Sequence, residues 1–444
     1  MAARVMLTIA LALPTPAAAQ AADLYVSPHA AGCSDTVGAA VAGHPATPWC
    51  SLTPALGLAG PGDVVHLASA TYAAQLRPLR SGAPAQPITY QAEGPVVVAP
   101  PAGTTGVMLI GVHNLVLRGL TVRAAAGRGI WIDDASSILI DRATVANPAG
   151  VGIQIKRGSS VTITNSRLIN NARAGLLDMS PAHGTTLRCS LVSANGHDGQ
   201  RYNGDGVAFE HGIYVGATAN HYAITGNTIG ANAGADVKAE GGPGLVAENR
   251  LNSGLFGVVL SDNPAAVTVQ YNLIQGRFQH GVLLTTGATP ARARLWNNTV
   301  RQTGRSTSSG NASAVFVASA AQLDLRNNLL SYTNPDALGA ALMINDRSRL
   351  GTFVSLTNWY SSTDASRRRL AWNGSRVTFG QWRSLTGQDA SSIDSQPPAF
   401  ATSGRVASRN MGAGKGTRLG LSHDFAGTAL NPHIQPDIGA FQHR

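Results

Sequence analysis

Asp236, Lys238 and Glu240 alternate in the stretch NAGADVKAEGGPG, and lysine is scarce here: only Lys156, Lys238 and Lys415 occur among 33 basic residues. Unlike arginine, a lysine can lose its proton when its pKa is shifted, so it can serve either as a base or as a point charge. On a strand the flanking carboxylates share its face at roughly 6 to 7 Å. They raise its pKa and oppose the base role. Two arrangements resolve the conflict. A cation such as Ca²⁺ on Asp236 and Glu240 would reverse the local field. Alternatively Lys238 stays charged and neutralises an anion, and His211 or Tyr214 transfers the proton. Both carboxylates could instead be salt-bridged scaffolding.

The elements that must position these groups are repeats. Short alternating strands such as LVLRGLTV, ILIDRATV, VTITNSRL, YAITGNTI and LDLRNNLL end at Val122, Val145, Leu168, Val192, Ile229, Leu251, Ile274, Val300 and Leu330, at spacings of 23, 23, 24, 37, 22, 23, 26 and 30. A period near 23 with strand character is too short for a helix pair and predicts one coil of a parallel β-solenoid. Each coil holds a second strand, as in RGIWIDD, VGIQIKR, HGIYVG, ADVKAE and HGVLLTT. Alternation turns its apolar residues into the bore and the others outward. Asn227, Asn249, Asn272, Asn298 and Asn328 recur at equivalent places, which predicts an inward amide ladder along the stack.

Register then predicts a row. If Val237 and Ala239 point inward, Asp236, Lys238 and Glu240 face outward, with Tyr214 one coil earlier, roughly 4.8 Å away. Trp131, Asp133, Gln154 and Lys156 lie on the corresponding face upstream. Aromatic and cationic groups so interleaved suit an anionic sugar chain. The 37-residue spacing adds about 14 residues to one coil, and such insertions wall binding clefts. The inserted stretch holds His197, Asp198, Arg201, Tyr202, Asp205, Glu210 and His211. His280, which repeats the His-Gly start, is read as a turn histidine.

The remainder of the chain bounds the setting. Residues 1–21 read as a secretory signal, with one positive charge, an apolar run and an alanine-rich end. No later run reaches the roughly 20 apolar residues of a spanning helix. Cys33 and Cys50 bracket a turn-rich loop and are expected to form a disulfide; Cys189 is expected to be a small buried filler. Residues 22–335 form the solenoid, with an N-terminal cap over 22–75 that includes a helix from Ser51. Residues 336–444 form the last irregular coils and a C-terminal cap packed by Trp359, Trp372 and Trp382. The net charge of +10 points to an acidic partner. No zinc-finger or helix-turn-helix spacing supports nucleic acid, and a monomer is expected.

The opener DLYVSPHAAGC…PWCSLTPALGLAGPGDVVHLASATY, the coil repeats and the terminal PDIGAFQ resemble the secreted right-handed parallel β-helix proteins of the pectate lyase-like superfamily. HGIYVG followed one coil on by DVKAEGGPGLVAENRL is loosely similar to the alginate lyase and chondroitinase B type of polysaccharide lyase. That resemblance implies an all-β right-handed helix, with Lys238 in the place of the family's catalytic lysine and Arg250 as the assisting arginine. The family's longer signature around the lysine is absent. The leading expectation is β-elimination on a uronate polysaccharide. Alternatives are a glycoside hydrolase using a carboxylate pair from Asp205, Asp236, Glu240 and Asp262, a uronate C5-epimerase, and a non-catalytic polysaccharide-binding solenoid.

Overall fold

The computed structural model describes residues 21–442 except 124–126, 148, 182–183, 198–209, 253, 277–278, 305–311, 334–338, 364–368 and 407–410. The expected signal segment thus lies almost wholly outside the described residues, as do Arg201, Tyr202 and Asp205.

The repeating strands stack in parallel register into three faces. Ile213–Val215, Ala235–Ala239, Phe256–Leu260 and His280–Leu284 illustrate the first face. The second runs through Tyr222–Thr225, Gly244–Ala247 and Val267–Gln270. The third runs through Thr228–Gly230, Arg250–Asn252 and Leu273–Gly276. Inward residues form columns: Ile213, Val237, Val258 and Val282 on the first face are each at most 1% exposed. Burying each such side chain is worth about 1.5 to 3 kcal/mol. The chain's few aromatics are consistent with a bore filled by branched aliphatics.

The corner between the second and third faces repeats one device. A residue of positive φ, such as Gly226, Glu248 (58°), Tyr271 (49°), Asn297 (53°) or Asn327 (56°), turns the chain. The next residue is the predicted asparagine. Asn249 Oδ1 accepts from both the backbone N and Nδ2 of Asn227 at 3.0 Å, and its own Nδ2 donates to Asn272 Oδ1 at 3.0 Å. The ladder continues through Asn298, Asn328 and Asn358. Cys189 holds the equivalent turn position at φ 51° and is exposed; the turn points its side chain to solvent, so it is not the buried filler expected.

A second ladder, Asn147, Asn171, Asn195 and Asn232, occupies the corner that leads into the first face. Close approach there depends on glycine. Cβ atoms built at Gly152, Gly175 and Gly212 would lie only 2.8, 2.9 and 2.5 Å from the amide nitrogens of Asn171, Asn195 and Asn232.

Both ends are covered. At the N-terminus Asp23–Val26 pairs with Val64–Tyr72, and helix Leu52–Leu58, capped by Ser51, lies over the bore. The Cys33–Cys50 disulfide is formed. At the other end Trp382, on helix Phe379–Thr386, is fully buried edge-on to Trp372 at 5.5 Å. Trp359 is not in that cluster; it lies on the third face against Ile438. Coils continue past residue 335, through Ala340–Ile344 and Trp359–Ser362. The last residues then return along the third face, where Gly439 N donates to Asn327 O at 2.7 Å.

Candidate active site

The first face carries most of the expected row, with Leu177 interposed and Lys156 outside it. Trp131, Gln154, Leu177, Tyr214 and Lys238 are consecutive register partners. Lys238 Nζ lies 2.8 Å from Glu240 Oε1 and 4.8 Å from the centre of the Tyr214 ring. Tyr214 Oη donates to Glu240 Oε2 at 2.6 Å. One carboxylate therefore bridges an ammonium and a phenol. The side chains of Lys238 and Glu240 are only 17% and 18% exposed, so the pair is shielded yet reachable. Burial, the Glu240 hydrogen bond and the Glu240 and Asp262 charges all push the Tyr214 phenol up, so it stays protonated. Val151, Ala174 and Leu177 form an apolar floor beside it, joined by Met179.

His211 meets Tyr214 edge-on at 5.6 Å. Its Nδ1 accepts from Ala235 N at 2.9 Å, so the proton of the neutral ring sits on Nε2, which is buried with no partner among the described residues. Burial, aided by the Lys238 charge, lowers its pKa to about 3. With one lone pair engaged and the other nitrogen protonated, His211 cannot act as the base; it can only donate a hydrogen bond.

Asp236 departs furthest from expectation. It has the outward parity predicted, but it is fully buried rather than open. It follows Gly212 in the glycine row and ends the second ladder, its Oδ1 accepting from Asn232 Nδ2 at 3.0 Å. Oδ2 has no partner among the described residues. Burial pushes the carboxyl up to about 8, against the pull of the Asn232 bond. Asp236 and Glu240 thus face different partners and do not form the Ca²⁺ pair. No group of three or more His, Cys, Asp or Glu among the described residues is placed to hold a metal.

Other expected residues lie elsewhere. Arg250 is on the third face, donating to Ser403 O at 3.0 Å over Phe425; a different strand column removes it from Lys238. Lys156 is exposed and sits 3.8 Å from Asp133, which also accepts from Arg157 Nε at 2.6 Å. His197 is exposed, with Nε2 3.3 Å from Ala231 O. Asp262 accepts from Gly287 N and Thr289 N, which makes it loop scaffold. His280 lies within a strand rather than a turn, buried between Phe256 and Phe316. Sequence reasoning missed Arg128, which stacks on Trp131 at 4.4 Å and donates to Gln154 Oε1. Its signal was only its place at a strand start, beside an outward tryptophan.

A family model described as "Right handed beta helix region" matches residues 101–235. The fold is a right-handed parallel β-helix. Among solved structures, a complex of XylC with xylose is similar at 10% identity, covering 95% of this chain and 98% of that one, with a TM-score of 0.61. The pectate lyase Pel9A is 13% identical over 96% and 98% of the two chains, with a TM-score of 0.46. An alginate lyase from Paenibacillus sp. str. FPU-7 is 15% identical over 71% and 93%, with a TM-score of 0.41. No curated protein matches by sequence. At these identities the likeness of this β-helix to its neighbours is one of fold. Among the described residues no helix is long and apolar enough to cross a membrane.

Proposed function

We propose that this β-helix is a secreted, carbohydrate-active enzyme that cleaves a uronate-containing polysaccharide by β-elimination at the Tyr214–Lys238–Glu240 cluster. The observation that carries the reading is the carboxylate of Glu240 held between an ammonium and a phenol on the solvent side of the first face. Elimination needs a cation for the substrate carboxylate, an acceptor for the C5 proton and a donor for the leaving oxygen. Lys238 supplies the first. As the substrate carboxylate takes over the ammonium, Glu240 loses its counter-charge and becomes more basic. Glu240 then accepts the C5 proton, the C–H electron pair forms the C4–C5 double bond, and the C4–O bond breaks. Tyr214 gives its proton to the leaving oxygen and regains one from Glu240, so the enzyme is restored. His211, whose ring meets Tyr214 edge-on, carries an Nε2–H free to donate a hydrogen bond in this reading. The disulfide fits an oxidising compartment.

The test is a panel of pectate, alginate, hyaluronan and heparosan read by both ultraviolet absorbance and reducing ends. Unsaturated, absorbing products are expected. Reducing ends without absorbance would sink elimination in favour of hydrolysis. Tyr214→Phe should lower kcat at least a hundredfold, the scale of a lost general acid, and leave the fold intact.

A further inference from the structure

The row does not end at Tyr214. Four register steps from Lys238 toward the N-terminus, through Tyr214, Leu177 and Gln154, lies Trp131. At the spacing of parallel strands this is about 19 Å from Lys238 along the helix axis. There the half-buried Arg128 stacks its guanidinium on the Trp131 ring at 4.4 Å, while Nε donates to Gln154 Oε1. The cation–π contact and the hydrogen bond to Gln154 restrain the fork, and an oriented fork is what recognises a carboxylate bidentately. Arg128 has no carboxylate partner among the described residues. Lys156 and Arg157 add two more cations on the next coil, shared with Asp133.

The opposite direction is different in kind. Beyond Lys238 the same row continues as Val259, Leu283, Phe316 and Met343. Val259 and Met343 are buried, and none of the four can bind an anion. Among the described residues this face therefore carries accessible cations only on the N-terminal side of Lys238, since Arg369 beyond Met343 is buried and paired with Asp394, and the apolar floor of Val151 and Leu177 lies between the two loci.

From this asymmetry we infer that Arg128, stacked on Trp131, is a distal carboxylate-binding subsite, so that the substrate is an anionic sugar chain running from Lys238 toward the N-terminal cap. The inference rests on the acidic-polysaccharide reading and adds a direction and a minimum length. A span of about 19 Å is longer than a disaccharide, so short fragments engage Lys238 alone. Arg128 is a specificity residue and touches no reacting atom.

The experiment measures kcat and KM for oligomers of galacturonate, mannuronate, guluronate and glucuronate from three to eight sugars long. It compares wild type with Arg128→Ala, Arg128→Lys and Trp131→Ala. KM of wild type should fall with length to a plateau. Arg128→Ala should raise KM about tenfold for chains past the plateau, the equivalent of one lost charge-assisted contact, with kcat unchanged and KM for trimers moved less than twofold. Arg128→Lys should recover only part of the loss, because the planar fork is gone. Trp131→Ala, which frees the guanidinium, should follow Arg128→Ala. A uniform change at all lengths, or no change, would overturn the subsite and leave the proposed chemistry standing. Failure of wild type on every oligomer and on the parent polymers would overturn both.

Discussion

Each asparagine ladder ends in an aspartate, and the two ends are built differently. The long ladder finishes at Asp389, whose carboxylate accepts from five side chains: Ser355, Asn358, Tyr360, Trp382 and Ser392. The short ladder finishes at Asp236, equally buried, which accepts from Asn232 alone and leaves Oδ2 without a partner among the described residues. A buried charge is stable only when its lone pairs are met. Asp389 meets that requirement and locks the C-terminal cap. Asp236 does not, and it stays neutral well above the usual carboxylate range. It lies two residues from Lys238, on the strand that carries the cluster. Departures from local consistency of this kind concentrate at functional sites, so the contrast separates a ladder end that stabilises a cap from one that adjoins the proposed site.

The sharpest way to break this contrast is at the saturated end. Asp389→Ala strands five donors, Trp382 Nε1 and Tyr360 Oη among them, and should cost about 4 kcal/mol. Urea unfolding would give the loss, and hydrogen exchange should place it in the C-terminal coils; a change under 1 kcal/mol would remove Asp389 as the lock. Next comes the middle of the long ladder. Asn272→Ala leaves the backbone N and Nδ2 of Asn249 unmet and should cost about 2 kcal/mol by the same measurement.

Asp236→Asn tests the other end through pH. The folded carboxyl titrates at about 8 against a usual 3.8, so the folded chain holds a proton that the unfolded chain has released. That contribution is complete below 3.8 and is lost as pH rises through 8. The variant lacks this slope. It should match wild type near pH 4 and exceed it by several kcal/mol at pH 8, read from urea midpoints at both; parallel profiles would mean Asp236 is not held neutral. Lys238→Ala should have the smallest effect on stability, within about 1 kcal/mol for a partly exposed pair, while turnover disappears. Wild-type turnover in that variant would take the cluster out of the chemistry.

Period, strand parity and the long ladder were all legible, because each is a local signal repeated many times. The row from Trp131 to Lys238 followed from parity and period together. Burial of Asp236 did not, since parity says which side of a strand a residue takes but not what packs over that side. Its neighbours held the missing clue. Asn147, Asn171, Asn195 and Asn232 recur at coil spacing but sit in a corner, where alternation ends. Arg250 was misplaced because nothing in an isolated sequence tells which of three faces a short strand joins. The returning C-terminal segment has no period, and its contacts, such as that of Asn327 with Thr417, span ninety positions of unrelated sequence.

The turn-then-asparagine corner has a further consequence. Because each coil meets its neighbours through the same bonds, the unit from one ladder asparagine to the next is interchangeable. Excising residues 250–272 would bring Asn249 against Asn298, re-forming the joint that Asn272 makes with both. The corner therefore acts as a gauge, by which the solenoid can be lengthened or shortened in whole coils while the ladder stays continuous.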